Sequence, residues 1–199
     1  MRTFLDRLAN GDPAPGGGAV AAASGAMGVA LQSMALRHTL AKRIDEALRT
    51  QLSAELAACE ALRTRIADFV DIDGAAVRRL IDTYRTPADT PGRADAIDAA
   101  MVGAIQSPLD LAGACVEGLR HAKRCVETCH RNVAGDAAAG VIALQSALRI
   151  CTSNVSVNSH GLRDAALAAR LRESASAMLA EGMPLAESAL RTVSERLAP

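Results

Sequence analysis

The chain has 199 residues, of which 50% are hydrophobic, and its 22 Lys and Arg balance 22 Asp and Glu. That length supports one domain with a genuine core, while neutrality and the lack of a dense basic run exclude nucleic acid and anionic membrane as partners. Five cysteines, an odd number in apolar surroundings, suit reduced buried thiols rather than a disulfide framework, and so point to the cytoplasm.

Apolar residues recur at helical spacing after Gly18, and no stretch alternates with β-branched or aromatic residues, which predicts an all-α chain. A first helix is expected over 1–9. The turn Pro13-Ala14-Pro15-Gly16-Gly17-Gly18 then opens a helix over 18–41, uncharged from Gly16 to Leu36. This stretch is long enough to cross a bilayer, but Ala and Gly gain little from lipid. Asp6, Arg7 and Asp12 ahead of it do not make an export signal. A helix that is apolar all round reads better as a central rod, with Ala22, Ala26 and Ala30 as one ridge and Ala21, Gly25 and Val29 as the next. Gly25 and Gly28 each cost about 1 kcal/mol of helix propensity, so close packing is expected there.

The next helix is expected over 44–85, weakened at Gly74, with Leu48, Leu52, Leu56, Cys59, Leu62, Ile66 and Phe69 as a core or dimer stripe. After a Pro/Gly/Thr loop over 86–92 come helices over 93–130, bent at Pro108, and over 133–160. Helices over 163–181 and 184–197 follow, parted by Gly182 to Pro184. Long helices with short loops favour antiparallel neighbours, hence one up-and-down bundle over 1–199 around a buried small-residue central helix.

Several groups invite chemistry. A glycine turn at a helix start presents free N–H groups and the positive end of the dipole to a carboxylate or phosphate, although neither the spacing nor the lysine of a nucleotide loop is present. Asn132 with Asp136, and Asn154 with Asn158, are spaced to share a helix face. They read either as caps and satisfied amides or as a polar pocket inside the bundle. Asp73 either caps a restarted helix at Gly74 or points a carboxylate inward. Lys42 either complements a helix C-terminus or serves a site. His121, Cys125 and Cys129 follow at i, i+4 and i+8, and three ligands strung along one helix cannot converge on a tetrahedral ion without distortion, so no metal is expected.

Phe4-Leu5-Asp6-Arg7-Leu8-Ala9, the stretch from Pro13 to Ala22, and Gly25-Ala26-Met27-Gly28 resemble the cyclodeaminase/cyclohydrolase family. This family contains the cyclodeaminase part of formiminotransferase-cyclodeaminase and the single-domain methenyltetrahydrofolate cyclohydrolases. The resemblance extends through Asp73 with Tyr84, Ala99 to Leu111 around Pro108, and Asn132 to Asn158, including an intact Asn-Val-x-[IV]-Asn run from Asn154 to Asn158. The chain departs from the family pattern at Thr39-Leu40-Ala41-Lys42-Arg43-Ile44-Asp45, where a Lys-rich run with glycine and tyrosine is usual. It also has Gly135 for a serine beside Asp136, and Val77 for an aromatic.

The resemblance implies a homodimer acting on a folate or related pterin without cofactor or metal. The leading activity is methenyltetrahydrofolate cyclohydrolase, the alternatives formiminotetrahydrofolate cyclodeaminase or a non-catalytic folate-binding or scaffold dimer. It implies Asp73, Asp136 and Lys42 as the proton-transferring residues. Pro15, Gly16, Gly17, Gly18, Asn132, Asn154 and Asn158 are the implied substrate-binding positions.

Overall fold

The computed structural model describes residues 1–198, and these form six α-helices and one 3-10 turn with no strand. They are α1 (Arg2–Leu8), α2 (Gly17–Leu40), α3 (Glu46–Arg85), α4 (Arg93–Thr128), the 3-10 turn Arg131–Val133, α5 (Ala134–Ser159) and α6 (Ala165–Leu197). The boundaries follow local chemistry. Asp45 starts α3 by accepting a hydrogen bond from the Leu48 amide at 2.8 Å. Asp164 starts α6 by accepting from the Ala166 and Leu167 amides, each at 2.9 Å. Gly92 turns the chain into α4 with φ of 76°.

The long helices alternate in direction, and α2 packs against α3, α4 and α5. Its buried residues include Ala21, Ala22, Gly25, Gly28 and Val29, so the expected close approach is present. A Cβ on Gly28 would lie 2.8 Å from the Gly140 carbonyl oxygen, and one on Gly140 would lie 2.8 Å from the Gly28 oxygen. The two backbones touch. The rod is not enclosed all round, however: Met27, Ala30 and Met34 lie on an exposed stripe. From the α3 stripe, Leu52, Cys59, Leu62 and Ile66 are fully buried in the core, with Leu48, Leu56 and Phe69 packed at its edge.

One expected break is absent, while the two helices expected to continue past a weak point and a bend do so. α3 runs through Gly74 and α4 through Pro108. α6 is one helix where two were expected, passing through both Gly182 and Pro184. Gly182 is held in the core, where a Cβ would collide with Leu148, and Ala186, Ala189 and Val193 continue the buried face beyond it. Packing along that continuous face outweighs the single hydrogen bond that Pro184 removes.

By length and composition, α2, α4 and the stretch Arg131–Ser159 are each apolar enough to cross a membrane. In the fold, 56%, 67% and 44% of their most apolar windows are buried against the rest of the protein.

Candidate functional site

The glycine turn, Asp73 and the Asn154/Asn158 pair meet at one end of the bundle. Gly16 is the N-cap of α2 in extended backbone, and no side chain caps that helix. Its first-turn amides are therefore available to an anion or a polar ligand. Pro15, preceded by a cis peptide bond, is buried beneath the turn. Asp73, late in α3, projects against this first turn: a Cβ on Gly18 would collide with the Asp73 carboxylate. A Cβ on Gly17 would stand 3.4 Å from both amide atoms of Asn154. Asn158 follows one turn later in α5, half-buried like Asn154.

Asp73 therefore points inward and caps nothing, because α3 is continuous through it. It is only 8% exposed, and burial raises its carboxyl above the usual carboxylate range, with no neighbouring charge or hydrogen bond offsetting that effect. Close by, the Cys151 thiol is pushed up by its hydrogen bond to Cys115 and by burial. A buried acid whose carboxyl is raised by desolvation, beside unsatisfied amides, is suited to proton transfer.

Lys42, Asn132 and Asp136 lie at the opposite end. Lys42 follows the C-terminus of α2, which is tied to the α4–α5 connection by a hydrogen bond from the His130 amide to Thr39 Oγ1 at 2.8 Å. The His38 and His130 rings stand edge to face with centroids 5.6 Å apart. Asn132 in the 3-10 turn and Asp136 in the first turn of α5 are exposed; His130 caps the 3-10 turn, its Nδ1 accepting from the Asn132 amide at 3.2 Å, and no side chain caps α5. Along α2, about 24 residues at about 1.5 Å each separate Gly18 from Lys42, or about 36 Å. The expected site residues thus form two groups that one copy of the chain keeps apart.

His38 was not among the expected site residues. It sits one helical turn before Lys42, and its Nε2 is buried without a hydrogen-bond partner among the described residues. Only the i, i+4 spacing to Lys42 hinted at it.

The fold also changes the company of His121. The ring meets Glu55 and Cys59 on α3 rather than Cys125 and Cys129, with Nδ1 2.6 Å from Glu55 Oε1 and the three ligand atoms within 4.8 Å of one another. Arg124 Nε donates to both Glu55 oxygens at 3.1 Å, which neutralises the carboxylate of this trio. Burial above all pushes the Cys59 thiol up to about 12. An ion-paired carboxylate and a protonated thiol make a packing cluster. Cys125 and Cys129 instead hydrogen-bond each other, with Arg196 Nη1 3.6 Å from Cys129 Sγ.

Residues 1–177 match the family model of formiminotransferase-cyclodeaminase. The chain is 34% identical to the methenyltetrahydrofolate cyclohydrolase of Methylorubrum extorquens, with 99% of this chain and 97% of that protein covered. It is 30% identical to the formimidoyltransferase-cyclodeaminase of Sus scrofa over 100% of this chain, but spans 37% of that relative's length. The crystal structure of formiminotetrahydrofolate cyclodeaminase from Thermotoga maritima shares the fold at a TM-score of 0.83 and 22% identity, over 99% of this chain and 94% of that one. The small-residue helix, the glycine turn closed by Asp73 and an alignment along nearly the whole chain together make this protein a member of the formiminotransferase-cyclodeaminase family.

Proposed function

We propose that the protein is a methenyltetrahydrofolate cyclohydrolase, adding water to the carbon that bridges N5 and N10 and opening the ring to the 10-formyl compound. The observation that carries this reading is 34% identity to a protein of that name with 97% of its length covered. Asp73 supplies the acid/base group that the chemistry needs: it takes a proton from water as the oxygen–carbon bond forms. It then returns a proton toward N5 as the carbon–nitrogen bond breaks. The α2 amides face the oxygen on which charge develops, and Asn154 and Asn158 hydrogen-bond the pterin. This reaction requires no metal, cofactor or nucleophilic side chain.

The reading includes a homodimer, no nucleic-acid or membrane partner, and a cytoplasmic setting that suits five free, buried cysteines. The test is the decay of methenyl-folate absorbance beyond the spontaneous rate. The wild-type protein is expected to accelerate it and Asp73→Asn to lose about 10²–10⁴-fold. Ammonia release from formimino-folate without that acceleration identifies a cyclodeaminase. Folate binding without either turnover identifies a non-catalytic binder.

A further inference from the structure

We infer that the cleft between α5 and α6 binds an elongated small anion, one that carries a phosphate or carboxylate group at each end. The cleft lies apart from the group formed by the glycine turn, Asp73 and Asn154, and the inference does not depend on the cyclohydrolase reading.

The cleft has a volume of about 430 Å³, within the range of small-molecule pockets. The helices that form it run antiparallel in a register fixed by packing: Gly182 lies against Leu148, and further along Arg172 Nη1 donates to Ser159 Oγ at 3.1 Å. Arg149 therefore stands at one end of the cleft and Arg172 at the other. About ten residues of α5 separate those two levels, or about 15 Å. Between them Thr152, Ser153, Ser156 and Ser176 contribute hydroxyls, over an apolar floor of Ala175 and Leu179.

Charge selects the occupant. No carboxylate lines the cleft, and among the described residues neither arginine forms an ion pair. Glu181, the α6 residue level with Arg149, is held by Arg120 instead, and Glu173 follows Arg172 in sequence without lining the cleft. Two cations facing one trough focus a positive potential there, in a chain with no net charge. Arg172 is also held in direction, because the Ser159 hydroxyl that accepts from it donates in turn to the Ser156 carbonyl at 2.8 Å. The other donors of that guanidinium remain for a ligand. A guanidinium fork matches phosphate or carboxylate oxygens, and serine hydroxyls donate to oxygens lying between the forks. An anion with charge at one end only engages one arginine, whereas one that spans the trough engages both.

Isothermal titration at about 0.15 M ionic strength tests this, with tripolyphosphate and adipate as spanning anions and inorganic phosphate and acetate as short ones. One of the spanning anions is expected to bind once per chain and at least about tenfold more tightly than its short counterpart. Tighter binding of tripolyphosphate identifies a phosphate ligand, and tighter binding of adipate a carboxylate ligand. Arg149→Gln and Arg172→Gln are each expected to weaken it by at least about tenfold, and Ser176→Glu to abolish it by placing a carboxylate in the trough. Arg149 is exposed, so its variant keeps the fold. Arg191→Gln removes the same charge from an exposed position of α6 outside the cleft and is expected to bind as wild type. Absence of binding, equal affinity for spanning and short anions, or an equal loss in Arg191→Gln overturns the inference. Folate turnover enters none of these readouts, so the functional reading stands or falls separately.

Discussion

Asp73 shows how a site is maintained against the stability of the fold. Burial penalises its charged form, so its carboxyl titrates higher in the folded protein than in the unfolded chain. Above that range the ionised group costs stability, and below it the neutral acid does not. Asp73→Asn is therefore expected to raise Tm near neutral pH, with the gain fading as the pH falls to about 4. Thermal denaturation of the two proteins across that range measures it. A destabilised Asp73→Asn protein near neutral pH would show that the carboxylate is a structural partner. The role of Asp73 was half legible in the sequence: its two readings, cap or inward carboxylate, differ only in whether α3 continues, and Gly74 argued locally for a break. Gly18 settles it, because only a residue without Cβ admits the carboxylate beside it.

The seam between α2 and α5 turns glycine from a weakness into a packing device. Gly28 and Gly140 let two backbones meet, so Gly28→Ala pushes a methyl into the Gly140 carbonyl and is expected to destabilise by about 1–3 kcal/mol. Gly103, in α4, has nothing within 4 Å of its Cβ position. Gly103→Ala is expected to stabilise by about 0.5–1 kcal/mol through helix propensity alone. Urea unfolding distinguishes the two signs. Glycine and proline mislead at Gly182 and Pro184 for a related reason. Local propensity marks a break there, but buried residues lie on both sides of each position and the cohesion of the helix comes from its neighbours.

At the scale of the whole molecule, one copy of the chain keeps the two residue groups at opposite ends of the bundle. Met27, at the centre of the exposed α2 stripe, is remote from both ends, so Met27→Glu leaves each group of residues intact while placing a charge on an otherwise uncharged helix face. Where the proposed homodimer uses this face, the variant is expected to sediment as a helical monomer. Sedimentation, circular dichroism and the absorbance assay together separate this from misfolding. A dimeric Met27→Glu protein would place the interface elsewhere.

Periodicity, composition and the quoted motifs were enough to establish an all-α chain, its central small-residue helix, its family and the residue types of its site. These are properties of the local pattern, since helical spacing and a glycine turn can be read within a few residues of chain. Which residues share a site cannot be read that way. Antiparallel packing joins Gly17 to Asn154 and Gly18 to Asp73, from three different helices, and sends Lys42, Asn132 and Asp136 to the far end. The same packing moves His121 from its neighbours in sequence to Glu55 and Cys59. Contacts between helices are long-range consequences of how their faces bury, and they alone set these distances.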